Sequence, residues 1–363
     1  MTKRIFVAVA VVLLSACGAS SDNASQTSAS GADNSKVYKW KLITTWPKNL
    51  PGLGTAPERL AKKLKVMSNG RLDIKVYGSG ELVGAFEVFD AVSQGTAEMG
   101  HGAAYYWRGK LPIAAMFSTV PFGMNAQEMN GWLHYGGGME LWRELYAPFN
   151  LIPLASGNTG VQMAGWFNKE INSLEDLQGL KMRIPGLGGE VLKKAGGVPV
   201  ALPGSEVFTS LQTGVIDATE WVGPYNDLAL ALHSVAKYYY YPGWHEPGPT
   251  LEAIVNKDAW DSLPPDLQAM IEVASQAIND DMLNEFTARN NQALRTLIDE
   301  HGVELRKLPD DVLLELKQAA QQVVADAAKA DPLSQKIYDS YMKFFEDVKS
   351  YHAISEQAYI NVR

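Results

Sequence analysis

The chain has 363 residues, of which 46% are hydrophobic and 20% are charged, a composition typical of globular proteins. This length is sufficient for two lobes, each with its own core. The formal net charge is −8, and the longest basic runs are short pairs, so we expect no nucleic-acid partner.

The first seventeen residues have the layout of an export signal. A positive stretch at residues 1–4 precedes an apolar stretch at residues 5–14, which is too short to span a bilayer as a stable helix. The following Leu14-Ser-Ala-Cys17 resembles the bacterial lipoprotein processing box, in which the cysteine is lipidated and becomes the mature N-terminus. Cys17 is the only cysteine of the chain, so we expect a lipid anchor and no internal disulfide. The alternative is an ordinary secretory signal that carries a cysteine.

Residues 18–36 are mostly Ser, Ala, Asn, Asp, Gly and Thr. Such a segment buries too little apolar surface to offset the entropy of ordering, so we expect a flexible tether. The sequence therefore predicts a domain in the periplasm or cell envelope that touches the membrane only through its lipid anchor.

From residue 37 onward, segments with strand and helix periodicity alternate. This alternation predicts an α/β fold with a parallel sheet. Strands are predicted at 38–44, 71–77, 152–156, 161–167, 181–184, 198–202, 218–222 and 251–256, and helices at 58–67, 86–92, 266–300, 310–329 and 333–349.

A short internal repeat suggests two similar lobes. Residues 82–98 share their glycines and a Glu-Val-Phe triplet with residues 202–217. We expect lobe I at 37–160 with 219–256, and lobe II at 161–218 with 257–363. A helix at about 264–300 would be roughly 50 Å long and would span both lobes.

The strand around Arg183 is the strongest candidate for ligand binding. Pro185 cannot donate a ladder hydrogen bond, so the strand should end there with Arg183 near its mouth. A glycine-rich turn at 186–189 should then open into a helix at 190–194. At this place the guanidinium offers a planar set of donors that fits a carboxylate, although a surface arginine is the alternative. We expect Arg183→Ala to abolish carboxylate binding with little loss of folded stability.

The sequence contains no catalytic constellation that we recognise. Its six histidines are scattered, no Gly-x-Ser-x-Gly elbow occurs, and the only cysteine lies in the predicted leader. The glycines at 186–189 do not complete a dinucleotide loop, because position 191 is Val191. We therefore expect a binding protein, with an enzyme acting on a carboxylate or a structural envelope lipoprotein as alternatives.

Several polar side chains interrupt apolar or aromatic segments. They are Gln162, Glu220 next to Trp221, and Glu246. Each has the alternative of a solvated strand position. A carboxylate in a largely buried strand is costly without a partner, which a cation or Arg183 would supply.

Together these features resemble one family. The lipoprotein box and tether, the segments 177–186 and 214–221, the two Glu-Val-Phe turns and the long helix are similar to DctP-type solute-binding subunits of tripartite ATP-independent periplasmic (TRAP) transporters. The similarity runs from Tyr38 to the C-terminus. Within the family, the chain resembles the branch that binds 2-oxo or 2-hydroxy monocarboxylates together with a metal cation.

The resemblance implies a two-lobe, periplasmic-binding-protein-like fold with a binding site for the organic substrate and one for the cation. Arg183 would bind the substrate carboxylate, and Tyr105 or Tyr106 would pack on the ligand or donate to it. The implied cation ligands are Gln162, Glu220, the backbone carbonyl of Trp221, and Glu246.

Oxygen ligands of this kind suit a hard cation, Na⁺ or Ca²⁺. A monovalent ion balances the charges of Arg183, Glu220 and a monocarboxylate, and a divalent ion is needed if Glu246 is also ionised. Integral membrane permease subunits are the implied partner, and a homodimer is possible on sequence grounds. An aromatic acid, a dicarboxylate or a polyol bound without a cation stays open as an alternative ligand.

Overall fold

A computed structural model describes residues 36–363. The predicted signal peptide, Cys17 and nearly all of the predicted tether lie outside these residues. Within this range, none of the helices combines the length and the apolar character needed to cross a bilayer.

The described chain is a mixed α/β structure. Its strands are β1 (Tyr38–Thr44), β2 (Leu72–Tyr77), β3 (Met99–Gly102), β4 (Leu151–Asn158), β5 (Gly165–Phe167), β6 (Lys181–Arg183), β7 (Val198–Val200), β8 (Ala218–Thr219), β9 (Tyr238–Tyr241), β10 (Thr250–Asn256) and β11 (Glu304–Lys307). Its α-helices are α1 (Thr55–Met67), α2 (Val88–Ser93), α3 (Ala126–Tyr135), α4 (Gly138–Tyr146), α5 (Gly186–Lys194), α6 (Gly204–Gln212), α7 (Pro224–Ala229), α8 (Lys257–Asp261), α9 (Pro265–Arg295), α10 (Asp310–Ala328), α11 (Pro332–Ile354) and α12 (Glu356–Ile360).

The strands form two sheets, and both are mixed. The first has the order β2-β1-β3-β10-β4, and the second has the order β11-β9-β5-β8-β6-β7. β10 runs antiparallel to both of its neighbours, and β5 does the same in the second sheet. The prediction of a parallel sheet was therefore wrong, because one strand in each sheet runs antiparallel to both of its neighbours.

The sheet pairing also moves the predicted lobe boundaries. β8 and β9 pair within the second sheet, so the chain returns to the first sheet at β10 and not at residue 219. At the C-terminal end, α10 packs on α5 of the second lobe, whereas α11 packs on α3 and α4 of the first. By these contacts residues 219–241 group with lobe II and α11 groups with lobe I, where the sequence predicted the reverse. The exact lobe boundaries stay a prediction.

The long helix lies where the sequence places it. α9 has 31 residues and continues into one π-helical turn at Thr296–Glu300. It packs on β4 and α1 of the first lobe and on α7, which connects β8 and β9 of the second sheet. α9 therefore contacts elements of both lobes.

Buried apolar side chains form two clusters. The smaller cluster lies between the second sheet and the helices α5 and α10, with Met182, Ile184 and Leu316 among its members. The larger cluster fills the first lobe and reaches one face of the second sheet through Trp166 and Tyr239.

One carboxylate lies inside the first sheet. Glu252 on β10 is fully buried and accepts hydrogen bonds from the Trp107 indole and from the Tyr146 hydroxyl, the latter at 2.9 Å. Burial raises the pKa of Glu252 to about 7, although both hydrogen bonds oppose the shift. The folded state thus binds this proton more tightly than the unfolded chain does.

We expect this group to make the free energy of unfolding fall as pH rises. A carboxyl whose pKa is raised on folding stabilises fully below its unfolded pKa, and this stabilisation is lost as pH rises to its folded pKa of about 7. The stability difference between wild type and Glu252→Gln should change by about 3 kcal/mol between pH 4 and pH 8. Urea unfolding across this pH range measures it. A pH-independent difference would contradict a titrating Glu252.

Candidate functional site

The pairing register of strands β6 and β8 positions Arg183 and Glu220, the two charged residues at the centre of the site. β6 and β8 run parallel with Arg183 opposite Thr219, and the backbone N–H of Glu220 donates to the carbonyl of Arg183 at 3.1 Å. At the neighbouring strand β5, a Cβ on Gly165 would lie 2.3 Å from the Thr219 carbonyl oxygen, so glycine is required there. Both charged side chains therefore leave the sheet at the same edge.

Arg183 and Glu220 form a buried ion pair. Their side chains are 2% and 1% exposed, and Nη1 of Arg183 donates to Oε1 of Glu220. Arg183 also donates through Nε to the Leu202 carbonyl at 3.1 Å and through Nη2 to the Tyr106 hydroxyl at 3.2 Å. Its guanidinium carbon lies 5.0 Å from the ring centre of Trp221. Burial alone would lower the pKa of Arg183, but the charge of Glu220 and the tyrosine hydroxyls raise it, so the guanidinium stays charged.

A second carboxylate lies beside this pair. Glu246 is buried, and its backbone carbonyl accepts from the N–H of Gln162 at 3.1 Å. This close approach needs Gly243, where a Cβ would lie 2.1 Å from the Gln162 carbonyl oxygen. Burial and the charge of Glu220 raise the pKa of Glu246 well above its ordinary value, and Arg183 opposes the shift.

Two buried oxygens at the site have no hydrogen-bond partner among the described residues. They are Oε1 of Gln162 and Oε2 of Glu246. Leaving such acceptors unpaired is costly. Glu246 offers a carboxylate oxygen within 4.8 Å of one of Glu220, and Gln162 lines the cavity in front of Arg183. Amide and carboxylate oxygens are the ligands that hard cations such as Na⁺ and Ca²⁺ prefer, so the residues present fit a cation of this class.

The two lobes both line the cavity in front of Arg183. The first lobe contributes a short 3₁₀-helix, Ala104–Trp107, with Tyr105 and Tyr106. The cavity volume is about 10 Å³, close to the smallest volume that holds one water molecule, so the side chains around Arg183 are tightly packed. Its lining consists of Trp46, Leu53, Tyr105, Tyr106, Thr159, Gln162, Arg183, Trp221, Val222 and Leu251.

At the mouth of this cleft the lobes meet through Arg108. Its Nη1 donates to the Gly186 carbonyl at 3.2 Å and to Oε1 of Glu190 at 3.0 Å, both on α5 of the second lobe. Gly186 has a positive φ of 65°, and a Cβ there would lie 3.1 Å from the Cβ of Tyr105. The first turn of α5 is therefore in direct contact with the first lobe.

The structure brings together all seven residues predicted for the site. Arg183, Gln162, Glu220, Trp221, Tyr105, Tyr106 and Glu246 lie around one cavity or contact one another directly. Two local predictions are corrected, however. Gln162 precedes β5 and Glu220 follows β8, so both lie in loops rather than in strands, and Gly186 to Gly189 form the first turn of α5 rather than a turn before it. The roles of the seven residues stay predictions.

Two further residues of the site were not predicted from sequence. His245 is 1% exposed, and its Nε2 lies 3.4 Å from Oε2 of Glu220. Its only sequence signal is its position next to Glu246. Asp227 accepts backbone N–H bonds from Val222 at 3.1 Å and from Gly223 at 3.0 Å, and this arrangement holds the turn that follows Trp221.

The family comparison fits this architecture. A profile described as bacterial extracellular solute-binding protein, family 7 (DctP), matches residues 43–331, which is most of the chain. The chain belongs to this family of solute-binding proteins. The proposed resemblance to TRAP transporter subunits is therefore confirmed, and with it the class of a periplasmic substrate-binding transport protein.

Individual relatives are similar along almost their whole length. The monocarboxylate 2-oxoacid-binding periplasmic protein of Nostoc sp. is 42% identical over 323 residues, 89% of this chain and 88% of the relative. A TRAP periplasmic solute-binding protein from Colwellia psychrerythraea, solved with bound calcium and pyruvate, is 43% identical with a TM-score of 0.87 and covers 90% of this chain and 100% of its own. A counterpart from Pseudoalteromonas atlantica, solved with bound sodium and pyruvate, is 44% identical with a TM-score of 0.87 and covers 90% and 99%.

These solved structures confirm the predicted fold class, an α/β protein with the two-lobe architecture of periplasmic binding proteins. The cation class predicted for the site, Na⁺ or Ca²⁺, is the class bound by these structural relatives of the DctP family.

Burial of the ion pair changes the expectation for Arg183→Ala in the ligand-free protein. Removing the guanidinium leaves Glu220 buried and uncompensated beside Glu246, and breaking a buried pair in this way costs roughly 3 kcal/mol or more. We therefore expect a clear loss of folded stability, measured by urea unfolding without ligand. The double variant Arg183→Ala/Glu220→Gln should be more stable than Arg183→Ala alone, because the stranded charge is gone. The opposite order would contradict this account.

Proposed function

We propose that this solute-binding protein captures a small 2-oxo or 2-hydroxy monocarboxylate, such as pyruvate or lactate, together with Na⁺ or Ca²⁺. The observation that carries the proposal is the buried Arg183–Glu220 pair with two unpaired oxygens, those of Gln162 and Glu246, next to it. A carboxylate ligand and a cation supply what this arrangement lacks. The high similarity to relatives that bind pyruvate with calcium or sodium supports the same ligands.

In the ligand-free site, Arg183 and Glu220 neutralise each other. A bound carboxylate takes over donors of Arg183, whose planar geometry fits two carboxylate oxygens. Glu220, Gln162, Glu246 and the carbonyl of Trp221 would hold the cation, which would supply positive charge to the oxygens of the ligand. Each buried charge then has a new partner of opposite sign, so these new interactions offset the free-energy cost of separating Arg183 from Glu220.

The charges of the site favour an acid over a polyol, one of the alternatives from sequence. A polyol carries no charge, so it would offer Arg183 no anion to replace Glu220, and the buried pair would stay as it is.

Closure of the lobes couples binding to transport. Tyr105 and Tyr106 come from the first lobe, and Arg183 and Glu220 come from the second. A ligand that contacts both groups favours the closed state by its differential affinity. The integral membrane permease subunits recognise this closed form and carry out translocation. The protein itself performs no chemical step on the ligand.

Cys17 carries the lipid that holds the protein at the membrane, and residues 18–36 act as the tether. The folded part works in the periplasm within reach of its permease. Pairing of two copies through the C-terminal helices would be compatible with exposed apolar side chains there, among them Tyr351, Ile354 and Val362.

A thermal-melt panel tests ligand and cation together. It holds pyruvate, other 2-oxo acids, lactate, succinate, benzoate and mannitol, each with chelator, with Na⁺ and with Ca²⁺. A ligand at about a hundred times its dissociation constant stabilises by roughly 2.7 kcal/mol, which is readily measured. We expect a shift with 2-oxo or 2-hydroxy acids that disappears when the cation is removed. A cation-independent shift with benzoate, succinate or mannitol would overturn the proposed ligand, and no shift at all would overturn the proposed site.

The contact at the cleft mouth should slow ligand release. Arg108→Ala removes the hydrogen bonds to Gly186 and Glu190, which join the lobes in the closed form. A partly exposed pair contributes up to about 1 kcal/mol, so the dissociation rate should rise by about two- to fivefold. Stopped-flow tryptophan fluorescence measures the rate. The control is Lys307→Ala, which removes an exposed pair with Asp310 inside the second lobe and should leave the rate unchanged.

A further inference from the structure

His245 is a buried histidine whose ring nitrogens lack partners. Its side chain is 1% exposed, and neither Nδ1 nor Nε2 has a hydrogen-bond partner within the described part of the chain. An imidazole in this environment loses its hydration and gains no hydrogen bond in return, so the contacts within the described residues do not account for its burial.

The surroundings fix where the ring points. The carbonyl of Trp244 accepts from the N–H of Phe122 at 2.8 Å, and the Trp244 ring packs edge-on against His245 with centroids 5.5 Å apart. On the other side, Gly188 of α5 leaves room for His245, since a Cβ on Gly188 would lie 3.0 Å from the Cβ of His245. His245 thus packs between the Trp244 ring and α5, and one of its ring nitrogens lies within 4.8 Å of carboxylate oxygens of Glu220 and Glu246.

Within this cluster the imidazole faces the second oxygen of Glu220. Nε2 lies 3.4 Å from Oε2, longer than a well-formed hydrogen bond, while Oε1 is held by Arg183. If a ligand carboxylate replaced Glu220 at Arg183, as the proposed function has it, a rotation of the Glu220 carboxylate would be free to close the 3.4 Å gap between Oε2 and Nε2.

We propose that His245 is the positioning residue for Glu220: its Nε2–H donates to Oε2 and so leaves Oε1 directed at the cation. This inference rests on the proposed function and adds a residue that neither touches the organic ligand nor binds the cation. Na⁺ and Ca²⁺ take oxygen ligands, which Gln162, Glu220 and Glu246 provide, so the imidazole nitrogen is suited to the outer position.

Three substitutions of His245 separate this role from packing. Glutamine can place an N–H near the position of Nε2, asparagine is too short to reach it, and phenylalanine keeps the ring but has no donor. The probes are Ca²⁺ titrated at saturating pyruvate and pyruvate titrated at saturating Ca²⁺, both by calorimetry on the purified protein. The melting temperature without ligand reports on folding.

We expect the affinity for Ca²⁺ to fall by about 10- to 100-fold in His245→Phe and His245→Asn, and to stay within about threefold of wild type in His245→Gln. Equal affinity in wild type and His245→Asn would overturn the proposal, as would equal losses in His245→Gln and His245→Asn. If His245→Phe does not fold, the Gln and Asn pair still decides. A wild type that shows no Ca²⁺-dependent pyruvate binding would instead overturn the proposed function itself.

Discussion

The buried pair of Arg183 and Glu220 is the constraint on which the rest of the site depends. Two charges removed from water are costly, and their mutual attraction repays this cost only with good geometry and further hydrogen bonds. Here Arg183 uses donors for the Leu202 carbonyl and the Tyr106 hydroxyl, and its face lies over Trp221. In a solute-binding protein this ion pair also provides two charges that ligands can use: a ligand anion can pair with Arg183 and a cation can pair with Glu220.

The second sheet is arranged so that this pair forms. β8 is only two residues long, yet its pairing with β6 places Glu220 next to Arg183. In the segment that follows β8, the carboxylate of Asp227 accepts hydrogen bonds from the backbone N–H groups of Val222 and Gly223. It also accepts hydrogen bonds from the Trp166 indole and the Tyr239 hydroxyl. The chain that carries Glu220 is therefore held at both ends, by the sheet and by a buried carboxylate.

Residues of the first lobe also contact the site and its surroundings in the second lobe. Tyr106 reaches Arg183 directly, Arg108 contacts α5 at the mouth, and α9 packs on elements of both lobes. Tyr105 and Tyr106, which are predicted to contact the ligand, and Arg108, which joins the lobes, are neighbours in one short segment, 104–108. This proximity gives a physical reason why occupancy of the site and the closed form belong together.

The sequence by itself determined the fold class, most element positions and seven residues that lie together at the site. Period-two and helical patterns are local, so strands such as β1, β2 and β10 and the helix α9 were predicted close to their observed bounds. Arg183 was found from its place at the end of a strand before Pro185, Glu220 and Gln162 as polar residues in apolar segments, and the family resemblance implied their roles. Tertiary structure alone decided the rest, because it depends on contacts between residues distant in the chain. The pairing of β8 and β9 with the second sheet, the return of β10 to the first and the enclosure of His245 beside Glu220 have no local signal.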